Sequence, residues 1–79
     1  MKLLNLILEE TIRDDKGNMI DIKIGDKALV KSRRHVRDNV HPIIITKIIK
    51  KINMVEGEIL KGDTAGFIHR GRIIKKLES

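Results

Sequence analysis

Residues 19–30 read MIDIKIGDKALV, and this stretch decides the fold class. Over residues 20–24, isoleucine alternates strictly with a charged residue, which is the pattern of a β-strand with one buried face. Residues 25–27, Gly-Asp-Lys, form a tight turn, because glycine and aspartate adopt the backbone angles that turns require. Residues 28–31 then predict a second short strand, so the chain folds back on itself at this point.

The preceding segment supplies a partner for the strand at 19–24. Residues 14–18, DDKGN, are typical of a hairpin turn, with Gly17 suited to the left-handed position. Residues 3–13 fit helical spacing as well as alternation, but a strand that follows a hairpin turn needs a neighbour. We therefore expect a hairpin that pairs 6–13 with 19–24.

The following segment is more ambiguous. Residues 31–42 have no hydrophobic period and are interpreted as a loop, which Pro42 ends. Residues 43–52 place isoleucines at helical spacing, yet seven of these ten residues are β-branched, which favours a strand. An α+β fold with residues 43–53 helical is the runner-up.

The rest of the chain predicts short strands separated by turns. Fifteen Ile, four Val and three Thr make 22 of the 79 residues β-branched. The fold class is therefore all-β, or mostly β, and residues 1–79 form one small barrel domain. The expected turns are 53–57, 62–63 and 70–72, and the expected strands are 58–60, 65–69 and 73–77, the last with a helical turn as the alternative.

Two segments carry a resemblance to a known family. Residues 22–30, IKIGDKALV, resemble the opening strand of SH3-like barrels of the KOW and related type. Residues 65–77 resemble the way in which such barrels close, with a strand, a short turn and a last apolar segment. The resemblance covers residues 20–77 and implies a five- or six-stranded SH3-like barrel with the N-terminal β-hairpin as an addition. It also implies binding of RNA, DNA or protein through loops and one barrel face.

Composition excludes several kinds of chemistry. The chain has no cysteine, so disulfides, thiolate nucleophiles and cysteine-ligated metals are excluded. Phe67 is the only Phe, Tyr or Trp residue, which argues against a platform of aromatic side chains that stack bases. No catalytic or phosphate-cradling motif is present, and His35, His41 and His69 lack metal-ligand spacing. We expect no enzymatic activity, no catalytic residues, no cofactor and no metal site.

Positive charge is concentrated in the second half of the chain. The net charge is +6, and residues 31–51 alone carry seven basic residues and one acidic residue. Arginine forks match phosphate geometry, and each neutralised phosphate releases counterions, so this segment favours anion or nucleic-acid binding. A solvated loop that keeps an isoleucine-rich chain in solution is the other interpretation. The candidate nucleic-acid-binding or anion-binding residues are Lys31, Arg33, Arg34, Arg37, Arg70 and Arg72.

These observations predict a non-catalytic binding module. Nucleic acid, either RNA or DNA, bound through phosphate contacts, is the leading partner. A small accessory or inhibitor protein that docks its basic face on an acidic protein is the alternative, and self-assembly through isoleucine-rich edges is a third class. A core this small supplies little stability, so a homodimer is also possible. No apolar run approaches the roughly 20 residues of a membrane span, so we expect no membrane insertion and a cytoplasmic location.

Overall fold

The computed structural model describes the backbone of residues 9–34 and 37–77, and their side chains except those of residues 33–38. Six β-strands and one short 3-10 helix lie in this described part of the chain. The strands are β1 (Glu10–Arg13), β2 (Met19–Ile22), β3 (Lys27–Arg34), β4 (Arg37–Ile49), β5 (Met54–Ile59) and β6 (Ile68–Leu77), and Lys50–Ile52 form the 3-10 helix.

The last four strands form a closed barrel. All neighbours are antiparallel in the order β3-β4-β5-β6, and β6 pairs back to β3. The all-β prediction is confirmed, and the barrel is compatible with an SH3-like barrel, although it has four strands rather than five or six. The helical alternative for residues 43–53 is wrong, because β4 continues through Ile49. In the described ranges, no helix has the length and hydropathy needed to cross a bilayer.

The N-terminal hairpin forms a separate two-stranded sheet that packs into the barrel core. β1 and β2 form the expected antiparallel hairpin, with Ile12 opposite Ile20 and a Gly17 φ of 87° in the turn. β2 ends at Ile22 rather than at residue 24. Residues 6–8 of the predicted strand lie outside the described residues. Ile12 and Ile22 are 1% and 0% exposed and belong to the same buried cluster as the barrel residues. The hairpin is therefore an integral part of the hydrophobic core.

A β-bulge in β4 explains the mixed pattern of its isoleucines. Ile43 and Ile45 are buried, as strand alternation predicts, and the register with β5 then shifts between Ile45 and Lys47. A bulge adds one residue to one strand, so the next inward position is Ile48, which packs against the core. The inward-facing isoleucines at 43, 45 and 48 are therefore spaced by two and then by three residues, and the three-residue step also occurs in the pattern of a helix.

Four local predictions are wrong. Residues 31–42 form strand backbone on both sides of residues 35–36, because the pairing of β3 with β4 continues to Arg34 and Arg37. Residues 54–57 belong to β5, residues 65–67 form a turn, and residues 70–72 continue β6. The predicted turns at 53–57 and 70–72 include Gly57 and Gly71. Each instead lies in a strand where a Cβ atom would fall on the carbonyl oxygen of a neighbouring strand.

The turn between β2 and β3 is held by Asp26. The amide of Asp26 donates to the carbonyl of Lys23 at 3.1 Å, and the Gly25 φ is 96°, as a type II turn requires. The Asp26 carboxylate accepts the amide of Lys23 at 2.9 Å and pairs with the ammonium groups of Lys23 and Lys76. Burial raises the pKa of Asp26, but the Lys23 hydrogen bonds and the two ammonium charges together hold this pKa below its usual value.

Candidate nucleic-acid interface

β3 and β4 extend beyond the barrel as a two-stranded hairpin, here called the basic hairpin (residues 31–41). β3 pairs with β6 only as far as Lys31, and β4 pairs with β5 only from Ile43 onward. Within the described backbone, residues 32–34 and 37–39 therefore pair with each other alone. Residues 32–34 and 37–39, which lie in the segment predicted to be a loop, are instead strand backbone that projects from a closed barrel.

Pro42 is tolerated in β4 because of its position. The nitrogen and carbonyl of one strand residue point to the same side, and the Pro42 carbonyl accepts the amide of Leu60 at 2.8 Å. The missing N–H of Pro42 therefore faces the point where pairing with β5 ends, so few ladder hydrogen bonds are lost.

The structure places the candidate residues of β6 beside the base of the basic hairpin. Arg72 on β6 is the register partner of Lys31 at the base of the basic hairpin, and Arg70 lies two residues earlier on the same face of β6. Along the hairpin, Arg33 lies opposite Asp38, and Arg34 lies opposite Arg37. The side chains of these last four residues are outside the described part of the structure.

Internal carboxylates already neutralise two of the predicted cations. The Lys31 ammonium is 3.5 Å from Oδ2 of Asp15, which the N-terminal hairpin places against the barrel. The Arg70 guanidinium is 3.1 Å from Oε1 of Glu56 through both Nε and Nη2. Arg72 is exposed and forms no ion pair with another described residue. Arg72 is therefore the most available of the three cations whose side chains are described.

A groove of about 660 Å³ lies between the base of the basic hairpin and the turn that precedes β6. Its lining includes Ser32 and Asn39 from the hairpin, the histidines His41 and His69, and Phe67. The His69 ring is buried, and its Nε2 is 3.1 Å from the carbonyl oxygen of Val30, which can only accept, so Nε2 is the donor. The two imidazole rings meet edge to face, with centroids 4.9 Å apart at 86°.

Phe67 is a site residue that sequence reasoning missed. A single Phe in a chain without Tyr or Trp argues against base stacking, yet the Phe67 side chain is 66% exposed at the edge of the groove. The neighbouring Ile68 is also exposed, and a contiguous exposed apolar surface beside a groove is typical of a contact site. Gly66, with a φ of 90°, is the local feature that turns the chain and directs Phe67 outward.

These features define a small closed all-β barrel that carries a protruding basic hairpin and an adjacent groove. No group of three potential metal-ligating side chains converges in the part of the chain that the structure describes. Comparison of the chain with protein-family models, curated proteins and solved structures finds no match.

Proposed function

We propose that this chain is a non-catalytic nucleic-acid-binding module of the cytoplasm, built on an SH3-like barrel of the KOW type. The observation that supports this most strongly is that Arg72 lies beside Lys31 at the base of a hairpin that also carries Arg33, Arg34 and Arg37. Cations gathered on one protruding element can follow a phosphate backbone, whereas cations scattered over a barrel cannot.

The proposed contacts are to phosphate, which position a protein on nucleic acid but carry little sequence information. Asp15 and Glu56 offset the charges of Lys31 and Arg70, so four arginines, 33, 34, 37 and 72, remain as the principal contacts. Four contacts predict a log–log slope of affinity against salt of about −3.6 on duplex DNA.

Fluorescence anisotropy of labelled duplex DNA, single-stranded DNA and RNA, titrated from about 50 to 200 mM salt, tests the proposal. The double variant Arg33→Ala with Arg34→Ala should reduce the slope by about two and weaken binding to all three probes alike. Lys47→Ala with Lys51→Ala, outside the basic hairpin, is the matched control for net charge. Absence of binding to every probe at low salt would refute the proposal.

An acidic protein surface is the second candidate partner, because Arg72 is exposed, forms no ion pair with another described residue, and carries a guanidinium group that suits a carboxylate as well as a phosphate. Such a partner would bind with one defined stoichiometry and would lose less affinity with added salt than nucleic acid does. An acidic protein isolated by pull-down with this chain would be titrated calorimetrically against the wild-type protein and against the Arg33→Ala, Arg34→Ala double variant. A defined stoichiometry that the double variant loses separates this candidate from non-specific polyanion binding.

A further inference from the structure

The groove is continuous with the basic hairpin. Ser32 and Asn39 are register partners at the base of the hairpin and also line the groove, and the hairpin continues from this pair to Arg34 and Arg37, two residues further along each strand. A strand whose phosphates lie along the hairpin therefore passes the mouth of the groove. The groove volume of about 660 Å³ lies within the range of small-ligand sites.

The charge of the groove suits a neutral group better than a phosphate. Arg70 and Glu56 on its wall form an ion pair with each other, and together they contribute no net charge. The hydroxyl of Ser32 and the amide of Asn39 make no hydrogen bond with another described residue. These groups offer both donors and acceptors to a flat polar ligand.

Hydrogen bonds on both sides fix the main chain of Phe67. Its amide donates to the carbonyl of Thr64 at 3.0 Å, and its carbonyl accepts the amide of Ile59 at 2.9 Å. With the backbone fixed, only the two side-chain torsions of Phe67 are ordered when a ligand stacks on the ring. The neighbouring Ile68 side chain is 61% exposed and extends the apolar surface.

We propose that the groove binds an unpaired base of a single-stranded nucleic acid, which stacks on Phe67 while its polar edge faces Ser32 and Asn39. This inference rests on the proposed function, because the basic hairpin supplies the phosphate contacts. The bases of a duplex are stacked inside the helix and cannot enter the groove. Single strands therefore gain a contact that duplexes lack.

The test compares a labelled oligothymidine of roughly ten nucleotides with an abasic strand of the same length and charge. The wild-type protein should bind the base-bearing strand about 5- to 150-fold more tightly. Phe67→Ala should abolish this ratio without changing the salt slope or the affinity for duplex DNA. Met19→Ala, which removes a 59% exposed side chain from the N-terminal hairpin, should leave the ratio unchanged. Phe67→Leu replaces the alanine variant if circular dichroism shows that the latter is unfolded.

The outcomes separate the inference from the function on which it rests. Equal binding of base-bearing and abasic strands by wild-type protein, or a ratio that survives in Phe67→Ala, would overturn the base site while leaving phosphate binding intact. Absence of binding to any oligonucleotide at low salt would overturn both, and the groove would then fit an apolar side chain of a peptide instead.

Discussion

Replacement of Ile22 by alanine tests whether the N-terminal hairpin is part of the cooperative fold. Ile22 is 0% exposed and packs in the same cluster as barrel residues such as Ile43 and Ile73. The substitution removes three carbons, which costs about 2.4 kcal/mol in transfer free energy. A residual cavity on the order of 40 Å³ adds about 1 kcal/mol, so we expect a total loss near 3 kcal/mol.

A loss of this size is large for a chain of 79 residues, whose free energy of unfolding should be roughly 4 to 12 kcal/mol. The chain lacks Trp and Tyr, so urea unfolding is followed by far-UV circular dichroism. With an m-value of about 1 kcal/mol/M, Ile22→Ala should lower the midpoint by about 3 M. Ile22→Val, with an expected loss near 1 kcal/mol, keeps the measurement possible if the alanine variant is unfolded.

Met19→Ala is the matched control on the same strand, because its side chain is 59% exposed. Its expected change is within about 0.5 kcal/mol. A midpoint for Ile22→Ala that matches this control would refute the placement of the hairpin in the core. Two separate unfolding transitions in the wild-type protein would also refute it, since they would show that the barrel folds without the hairpin.

Three further predictions follow from individual contacts. Gly71→Ala should lower the free energy of unfolding by about 1 to 3 kcal/mol or more. The added Cβ would fall on the carbonyl oxygen of Lys31 in β3 and lie 2.7 Å from its carbonyl carbon. Thermal unfolding measures this loss. Arg72→Gln should reduce the salt slope of duplex DNA binding by about 0.9. Arg70→Gln should reduce the slope by less than half as much, because Arg70 is already paired with Glu56. Equal effects in anisotropy titrations would contradict the conclusion that Arg72 is more available than Arg70. Asp26 has a lowered folded-state pKa, so its contribution to stability is complete above the unfolded-state value near 3.9 and is lost as pH falls through the folded-state value. Asp26→Asn should therefore flatten the acid limb of a plot of stability against pH, and an unchanged limb would contradict this.

The high strand content could be predicted from the sequence, because β-branched residues favour strands. The alternation at residues 20–24 and the turn at 14–18 predicted the N-terminal hairpin, although β2 ends at Ile22 and Ile24 is 48% exposed. The isoleucines of residues 43–49 were harder to interpret, because the bulge between Ile45 and Lys47 breaks the strand period at one point. Composition identified the strand here when periodicity alone was ambiguous.

Glycine was the main source of wrong boundaries, because it has two structural uses. Gly17, Gly25, Gly62 and Gly66 have positive φ and mark turns. Gly57 and Gly71 lie inside strands, where the absence of a side chain allows a neighbouring backbone to approach. Close approach depends on residues distant in sequence, so a single chain does not distinguish these two uses.

The spatial arrangement of the candidate site residues could not be predicted from the sequence. Lys31, Arg70 and Arg72 were chosen for charge alone, and only the barrel register shows that they are neighbours. The ion pairs that Asp15 and Glu56 make join residues distant in sequence, so no local pattern indicates them. The exposure of Phe67 likewise depends on how the preceding turn meets β5.

Closure of the barrel by β3 and β6 also constrains when the chain can fold. Lys27 pairs with Leu77, fifty residues later, so the last strand must be synthesised before the first barrel strand has both neighbours. A nascent chain that lacks β6 presents unpaired edges and an uncovered apolar interior, which is the state most prone to aggregate. Such distant pairing also predicts slow folding for a protein of this size, on a timescale of roughly milliseconds to seconds.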